Sequence, residues 1–220
     1  MTILAATGLK REAALIAGPG ITVVVSGGRP DLLEQRLLAA ADGATAILSL
    51  GIAGALAASL QPGDWVVASR VVAQDAEWPT DPAWTADLAK RLPAPSSGPI
   101  LGCDAMLLKA TDKRAACHRY GALAVDMESR VAADVAQRLG LPFAAARAIS
   151  DCADHDLPPA VTVGMRPDGA MALGPVLLAL ARNPLKLPAL LRAARHAERA
   201  FKALGNFRIP AHPGEGRDPS

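Results

Sequence analysis

Short apolar runs rich in β-branched residues alternate with stretches of helical spacing along most of the chain. Ile3 to Ala6 predicts a strand, and after Gly8 a helix follows through Glu12 to Ala17. Ile21 to Val25 predicts a second strand; it ends at Ser26-Gly-Gly28. Pro30 then opens a helix in which Leu33, Leu37 and Ala41 return at helical intervals. Ala46 to Leu50 reads as a third strand, broken by Gly51-Ile-Ala-Gly54, and Asp64 to Ala68 as a fourth. Residues 74–99 lack a period and are rich in Pro, Trp and Ser, so they predict a loop with one short helix. Ile100 to Cys103 resumes a strand. Met127, Val131, Val135 and Leu139 form the apolar stripe of a helix over Asp126 to Leu139, stopped by Gly140-Leu-Pro142. Phe143 to Ile149 is a last strand, and it delivers Asp151.

Strands alternating with helices at this interval predict an α/β fold with a mostly parallel central sheet covered on both faces. Such sheets bind ligands beyond the carboxyl ends of their strands. Gly8, Ser26-Gly-Gly28, Gly51 to Gly54, Asp104 and Ser150-Asp151 all fall at these ends. Residues 1–205 are expected to form a single domain. Its last part, 170–205, is helical and leucine-rich but interrupted by Pro175, Pro184 and Pro188. Residues 210–220, rich in Pro, Gly and charge, read as a disordered tail.

Composition narrows the class. At 220 residues, 51% hydrophobic and 20% charged, the chain can bury a sizeable core. With 3% aromatic residues that core must be aliphatic and alanine-rich. A net charge of +2 without a run of like charges argues against a nucleic-acid partner. Three cysteines without metal-ligand spacing fit free thiols in a reducing cytosol. No uncharged apolar run reaches the ~18 residues of a spanning helix, so a cytoplasmic protein is expected.

Two acids stand out. Asp151 follows an apolar strand; alone it would be read as a turn cap, but Ser150 precedes it and Asp154 and Asp156 follow. Neighbouring carboxylates favour the protonated form, and a protonated Asp can donate to a departing purine as a general acid. Glu128 opens a helix, where the dipole favours acids; it can equally accept from two vicinal ribose hydroxyls. Glu12, beside Lys10 and Arg11, reads as a solvated surface acid or, just after the first strand and Gly8, as a group that aligns water or a ribose hydroxyl. Arg29, after the glycine turn and near a helix N-terminus, is a candidate anion ligand together with Lys10. His155 between Asp154 and Asp156 suggests a metal cluster, but adjacent loop residues share one ion poorly, so no metal is expected. Cys152 reads as a packed thiol.

Several motifs in order resemble the nucleoside phosphorylase/nucleosidase superfamily that includes methylthioadenosine/S-adenosylhomocysteine nucleosidase. They are Gly8-Leu-Lys-Arg-Glu12, Gly51-Ile-Ala-Gly54, Pro62-Gly-Asp64, Gly102-Cys-Asp104-Ala, Val125-Asp-Met-Glu128 and Arg147-Ala-Ile-Ser-Asp151. The resemblance implies a three-layer α/β/α fold, a homodimer or larger, and cleavage of a purine nucleoside's N-glycosidic bond. It implies that Asp151 protonates the base and that Glu128 and Met127 hold the ribose. Met106, Ser150, Ala53 and Gly54 would complete the substrate site, Glu12 would position the nucleophile, and adenine would be the base. No cofactor is implied beyond inorganic phosphate as a co-substrate, bound by Arg29 and Lys10. Departures from the nucleosidases are Lys10-Arg11 in place of an acidic run, Met106 where a Phe commonly stacks on the base, and a longer, greasier C-terminal region. These departures resemble the hopanoid-associated phosphorylase branch, which removes adenine from adenosylhopane. They imply a lipid-linked substrate and a peripheral membrane contact through the leucine-rich stretch from Val176 to Leu191. Lys10 and Arg29 slightly favour phosphate as the nucleophile, while Glu12 is compatible with water. Cleavage of methylthioadenosine or S-adenosylhomocysteine is the alternative activity, and a nucleoside-binding protein the non-enzymatic alternative. Core packing or a subunit contact is the competing reading of that stretch.

Overall fold

The computed structural model describes residues 2–159, 161, 168–170 and 187–210. Strand β1 (Thr2–Thr7) leads to helix α1 (Lys10–Ile16), β2 (Ile21–Val25), α2 (Pro30–Ala39) and β3 (Ala44–Ala55). β4 (Trp65–Val72), β5 (Glu77–Pro79), α3 (Pro82–Arg91), β6 (Ser96–Gly102) and α4 (Ala110–Tyr120) follow. β7 (Ala124–Asp126), α5 (Ser129–Leu139), β8 (Phe143–Asp151) and α6 (Leu187–Gly205) complete the described elements.

The sheet is mixed. β1 pairs in parallel with β2 and β3, β3 with β8, β6 with both β4 and β7. The β3–β7, β4–β5 and β4–β8 pairings are antiparallel. Strands β3, β8, β4, β6 and β7 therefore close a ring, with β1 and β2 extending from β3. Closure places the ends of β3, β7 and β8 side by side: Gly54 pairs with both Asp151 and Val125.

Alternation along the strands builds two cores on opposite faces. Leu4, Ala6 and Ile47 pack with Leu33 and Leu37 of α2 and with Val131 and Val135 of α5. Ile3, Ala5, Ala46 and Leu48 face the other way, against Ile16 of α1, Trp84 and Leu88 of α3, and Leu204 of α6. This is the three-layer α/β/α arrangement. The scarcity of aromatics is met by alanine: Ala144, Ala145, Ala146 and Ala148 in β8 are all fully buried.

The structure revises four local expectations. Gly51-Ile-Ala-Gly54 does not break β3, which runs twelve residues through it to Ala55. The predicted break reflected glycine's weak strand propensity, which the sheet overrides. Asp126 ends a strand, β7, and the helix begins only at Ser129, because its carboxylate accepts from the Glu128 and Ser129 amides and so caps α5. β5 and α4 were not visible as periodic patterns; α4 reads Ala-Thr-Asp-Lys-Arg-Ala-Ala-Cys-His-Arg-Tyr, with scarcely an apolar stripe. Most of the leucine-rich stretch and the tail lie outside the described residues, although Leu187 and Leu191 in α6 are 44% and 47% exposed. Among the described residues no helix is long and apolar enough to cross a membrane.

Candidate active site

Glu12 is buried, 2% exposed, and not a solvated surface acid. Its Oε2 accepts from the Thr7 hydroxyl at 2.7 Å and the Gly8 and Leu9 amides at 2.9 and 2.6 Å. Its Oε1 accepts from the Ile52 amide at 2.7 Å. These donors fill the roughly four lone-pair positions of a carboxylate. Glu12 therefore binds the turn after β1 to the middle of β3.

Glu128 sits beside it. Its Oε1 accepts from the Ser26 hydroxyl at 2.8 Å, and its Oε2 lies 3.9 Å from the Arg147 guanidinium. A Cβ on Gly8 would meet Glu128 Oε1 at 3.0 Å and Glu12 Oε2 at 3.4 Å, so both acids crowd one bare backbone position. Burial pushes the Glu128 pKa up to about 7; Arg147 opposes the rise, and the charges of Asp126 and Glu12 add to it.

Arg147 supplies the counter-charge. It stands in the middle of apolar β8, fully buried, with its Nε donating to Asp126 at 2.6 Å and its Nη2 to the Ser49 and Ser129 hydroxyls. Its Nη1 has no hydrogen-bond partner among the described residues. A Cβ on Gly51 would fall 2.8 Å from that nitrogen and 2.5 Å from Glu12 Oε1. Glycine at 51 is what lets the acid and the guanidinium share the space that a side chain there would fill.

Asp151 ends β8 about 10 Å further along, three residues up β3 at ~3.3 Å each. Both its carboxylate oxygens lie 3.3 Å from the Cβ position of Gly54. Ser150 Oγ is 3.0 Å from the Ala53 carbonyl and 2.9 Å from Asp151 Oδ2. The acids expected to flank Asp151 turn elsewhere: Asp156 accepts from Lys109 and the Ala110 amide, and Asp154 pairs with His155 at 3.2 Å. The charge facing Asp151 is instead the Lys113 ammonium, which is buried against Oδ1.

The remaining candidates lie around these groups. Met127 is half-buried between β7 and α5, and Met106 is half-buried after β6. Arg29 precedes α2 next to Ser26, and its guanidinium is bidentate on Asp31 at 2.9 and 2.6 Å. Lys10 binds Asp168 at 2.8 Å at the exposed rim. Cys152, Asp154 and His155 have ligand atoms within 4.8 Å of one another, with Asp156 outside the group. Ser26, Asp126, Arg147 and Lys113 were not singled out as site residues from sequence. An arginine inside an otherwise apolar strand was the signal available for Arg147; Lys113 carried none.

A buried pair of acids, a third acid further along β3, and glycines at the points of close approach form an arrangement that can hold a small polar ligand at two ends. The sequence model of the Phosphorylase superfamily matches residues 6–181. The chain belongs to this superfamily, and the expected reaction class, cleavage of a nucleoside's N-glycosidic bond, accords with that membership. Its fold is similar to that of Helicobacter pylori 5′-methylthioadenosine/S-adenosylhomocysteine nucleosidase, with a TM-score of 0.63 and 20% identity over 93% of this chain and 96% of that one. It is similar to the S-adenosylhomocysteine nucleosidase of Streptococcus pyogenes, with a TM-score of 0.62 and 21% identity over 92% and 96%. It is similar also to H. pylori futalosine hydrolase, with a TM-score of 0.60 and 18% identity over 93% and 97%. No curated protein matches the chain in sequence.

Proposed function

We propose that the protein releases adenine from a 5′-substituted adenosine, with Asp151 as the general acid and Glu128 as the ribose ligand. The observation that carries this reading is the placement of Asp151 at Gly54 and of Glu12 at Gly51 along β3, with Glu128 meeting Glu12 over Gly8. A ribose held by Glu128 extends its base toward Asp151. As the C1′–N9 bond breaks, positive charge grows on the ribose, and an ionised Glu128 stabilises it. Asp151 gives its proton to N7, so the base leaves neutral.

Phosphate is the nucleophile in this reading. Glu12 already accepts four hydrogen bonds from the protein, which leaves it little capacity to align a water. The Ser26-Gly-Gly28 turn has positive φ at Gly27 and Gly28, leads into the N-terminus of α2, and contacts Glu128 through Ser26. That is a suitable seat for an anion beside the ribose, with Arg29 exchanging Asp31 for phosphate.

The 5′ substituent we assign is a long apolar one, as in adenosylhopane, following the departures from the nucleosidases and the two exposed leucines of α6. A second reading, cleavage of methylthioadenosine or S-adenosylhomocysteine, is favoured by the fold shared with the nucleosidases above. Steady-state rates on methylthioadenosine and on an adenosine with a long apolar 5′ chain decide between them. A higher kcat/KM for the apolar substrate supports the first; a preference for methylthioadenosine overturns it. Loss of activity in Asp151→Asn is expected, and full retention would remove the acid role.

A further inference from the structure

Lys113 is a fully buried charged group that the reaction above leaves unused. It lies on α4, whose other residues are mostly exposed, yet it is 0% exposed itself. Its Nζ donates to Asp151 Oδ1, to the Cys152 carbonyl at 2.9 Å and to the His155 carbonyl at 3.2 Å. Three acceptors match the three N–H bonds of an ammonium, so the group is fully satisfied as a cation. A buried ammonium is expensive to desolvate and persists where its charge is compensated. Here the groups in contact with it are the Asp151 carboxyl group, through Oδ1, and the two backbone carbonyls.

The opposite oxygen of Asp151 has a different partner. Ser150 Oγ lies between Asp151 Oδ2 and the Ala53 carbonyl, at 2.9 and 3.0 Å, and a hydroxyl has one hydrogen to give. When Oδ2 carries a proton, Ser150 donates to Ala53. When that proton has gone, Ser150 can turn and donate to Oδ2.

We propose that Lys113 is a positioning residue for leaving-group protonation, holding Asp151 by Oδ1 and compensating the carboxylate that forms when Oδ2 gives its proton to the base. The proposal rests on the assignment of Asp151 as general acid. In the step, the C1′–N9 electron pair returns to the purine while a phosphate oxygen bonds C1′. The Oδ2 proton passes to N7 and adenine departs neutral. Asp151 becomes a carboxylate between the Lys113 ammonium and the Ser150 hydroxyl, and solvent later restores its proton. Lys113 keeps its own protons throughout.

The test compares leaving groups. Lys113→Met and Lys113→Arg are assayed with 5′-methylthioadenosine and with the matching 4-nitrophenyl 5-methylthioriboside, whose nitrophenolate leaves without protonation. Lys113→Met is expected to lower kcat on the adenine substrate about 100-fold, the low end of what general acid catalysis contributes, with less than a roughly fivefold loss on the nitrophenyl substrate. Lys113→Arg, which retains the charge, should recover most of the adenine rate. Equal losses on both substrates, or a Lys113→Arg variant no better than Lys113→Met, overturn the proposal and leave Lys113 a purely structural cation. If Lys113→Met does not fold, the same comparison on Ser150→Ala decides. A loss confined to the adenine substrate supports the Asp151–Ser150 relay, and an equal loss on both contradicts it. A wild-type protein that turns over the nitrophenyl riboside but not the adenine nucleoside refutes the adenine reading itself, a result distinct from any variant's.

Discussion

Replacing Glu128 by Gln should stabilise the protein, and by an amount that grows with pH. Burial raises the Glu128 pKa from 4.5 to about 7, with Asp126 and Glu12 reinforcing the shift. Between those two values the folded state keeps a proton that the unfolded chain has released, so stability falls as pH rises through that window. Above about pH 7 the full deficit is present. A shift from 4.5 to about 7 corresponds to about 3 kcal/mol at 1.36 kcal/mol per unit. Gln has no such titration. The Tm difference between Glu128→Gln and wild type should therefore be small near pH 4.5 and widen by roughly 6–12 °C at pH 8 in a chain of this size. Calorimetric melts of both proteins at several pH values read it directly, because titrating groups remote from Glu128 cancel in the difference. A difference that stays flat between pH 5 and pH 8 would refute the burial argument. One that runs the other way would show that Arg147 outweighs desolvation.

The same network makes further predictions. Arg147→Met leaves Asp126 buried without its partner and should destabilise the fold by about 3–5 kcal/mol, measured by denaturant titration. Gly51→Ala places a methyl group 2.5 Å from Glu12 Oε1 and 2.8 Å from Arg147 Nη1. The strand or both side chains must shift, and a destabilisation of roughly 1–3 kcal/mol with a loss of turnover is expected; unchanged Tm and kcat would contradict the close packing described. Arg29→Ala should raise the KM for phosphate at least ~10-fold, the ~1.4 kcal/mol of one charge-assisted contact, with little change in Tm because Arg29 is exposed.

Much of this was legible before the structure. Strands β1 and β8 follow their apolar runs closely, because both are buried on both faces, and the edge strand β2 follows its run of β-branched residues. α4 was missed for the opposite reason: its one fully buried residue is a lysine, and a lysine predicts solvent. β3 was cut short because glycine signals a turn when read locally. Its glycines in fact serve tertiary neighbours, Glu12 and Arg147 at Gly51 and Asp151 at Gly54, which no local window contains. The acids themselves were found by position at strand ends. Their partners were not, since Ser26 lies 102 residues from Glu128 and Lys113 lies 38 from Asp151. The expected influence of Asp154 and Asp156 on Asp151 failed because adjacency in sequence placed their side chains on Lys109 and His155 instead.

The central claim is that the bond broken is the one between ribose and adenine. Incubating the purified protein with 5′-methylthioadenosine or a long-chain 5′-substituted adenosine, with and without phosphate, and resolving the products by mass spectrometry tests it most directly. Free adenine and a ribose 1-phosphate are expected in the presence of phosphate, with little release in its absence. Adenine with free ribose at equal rates in both conditions would contradict the assigned nucleophile, and intact nucleoside under every condition would contradict the function.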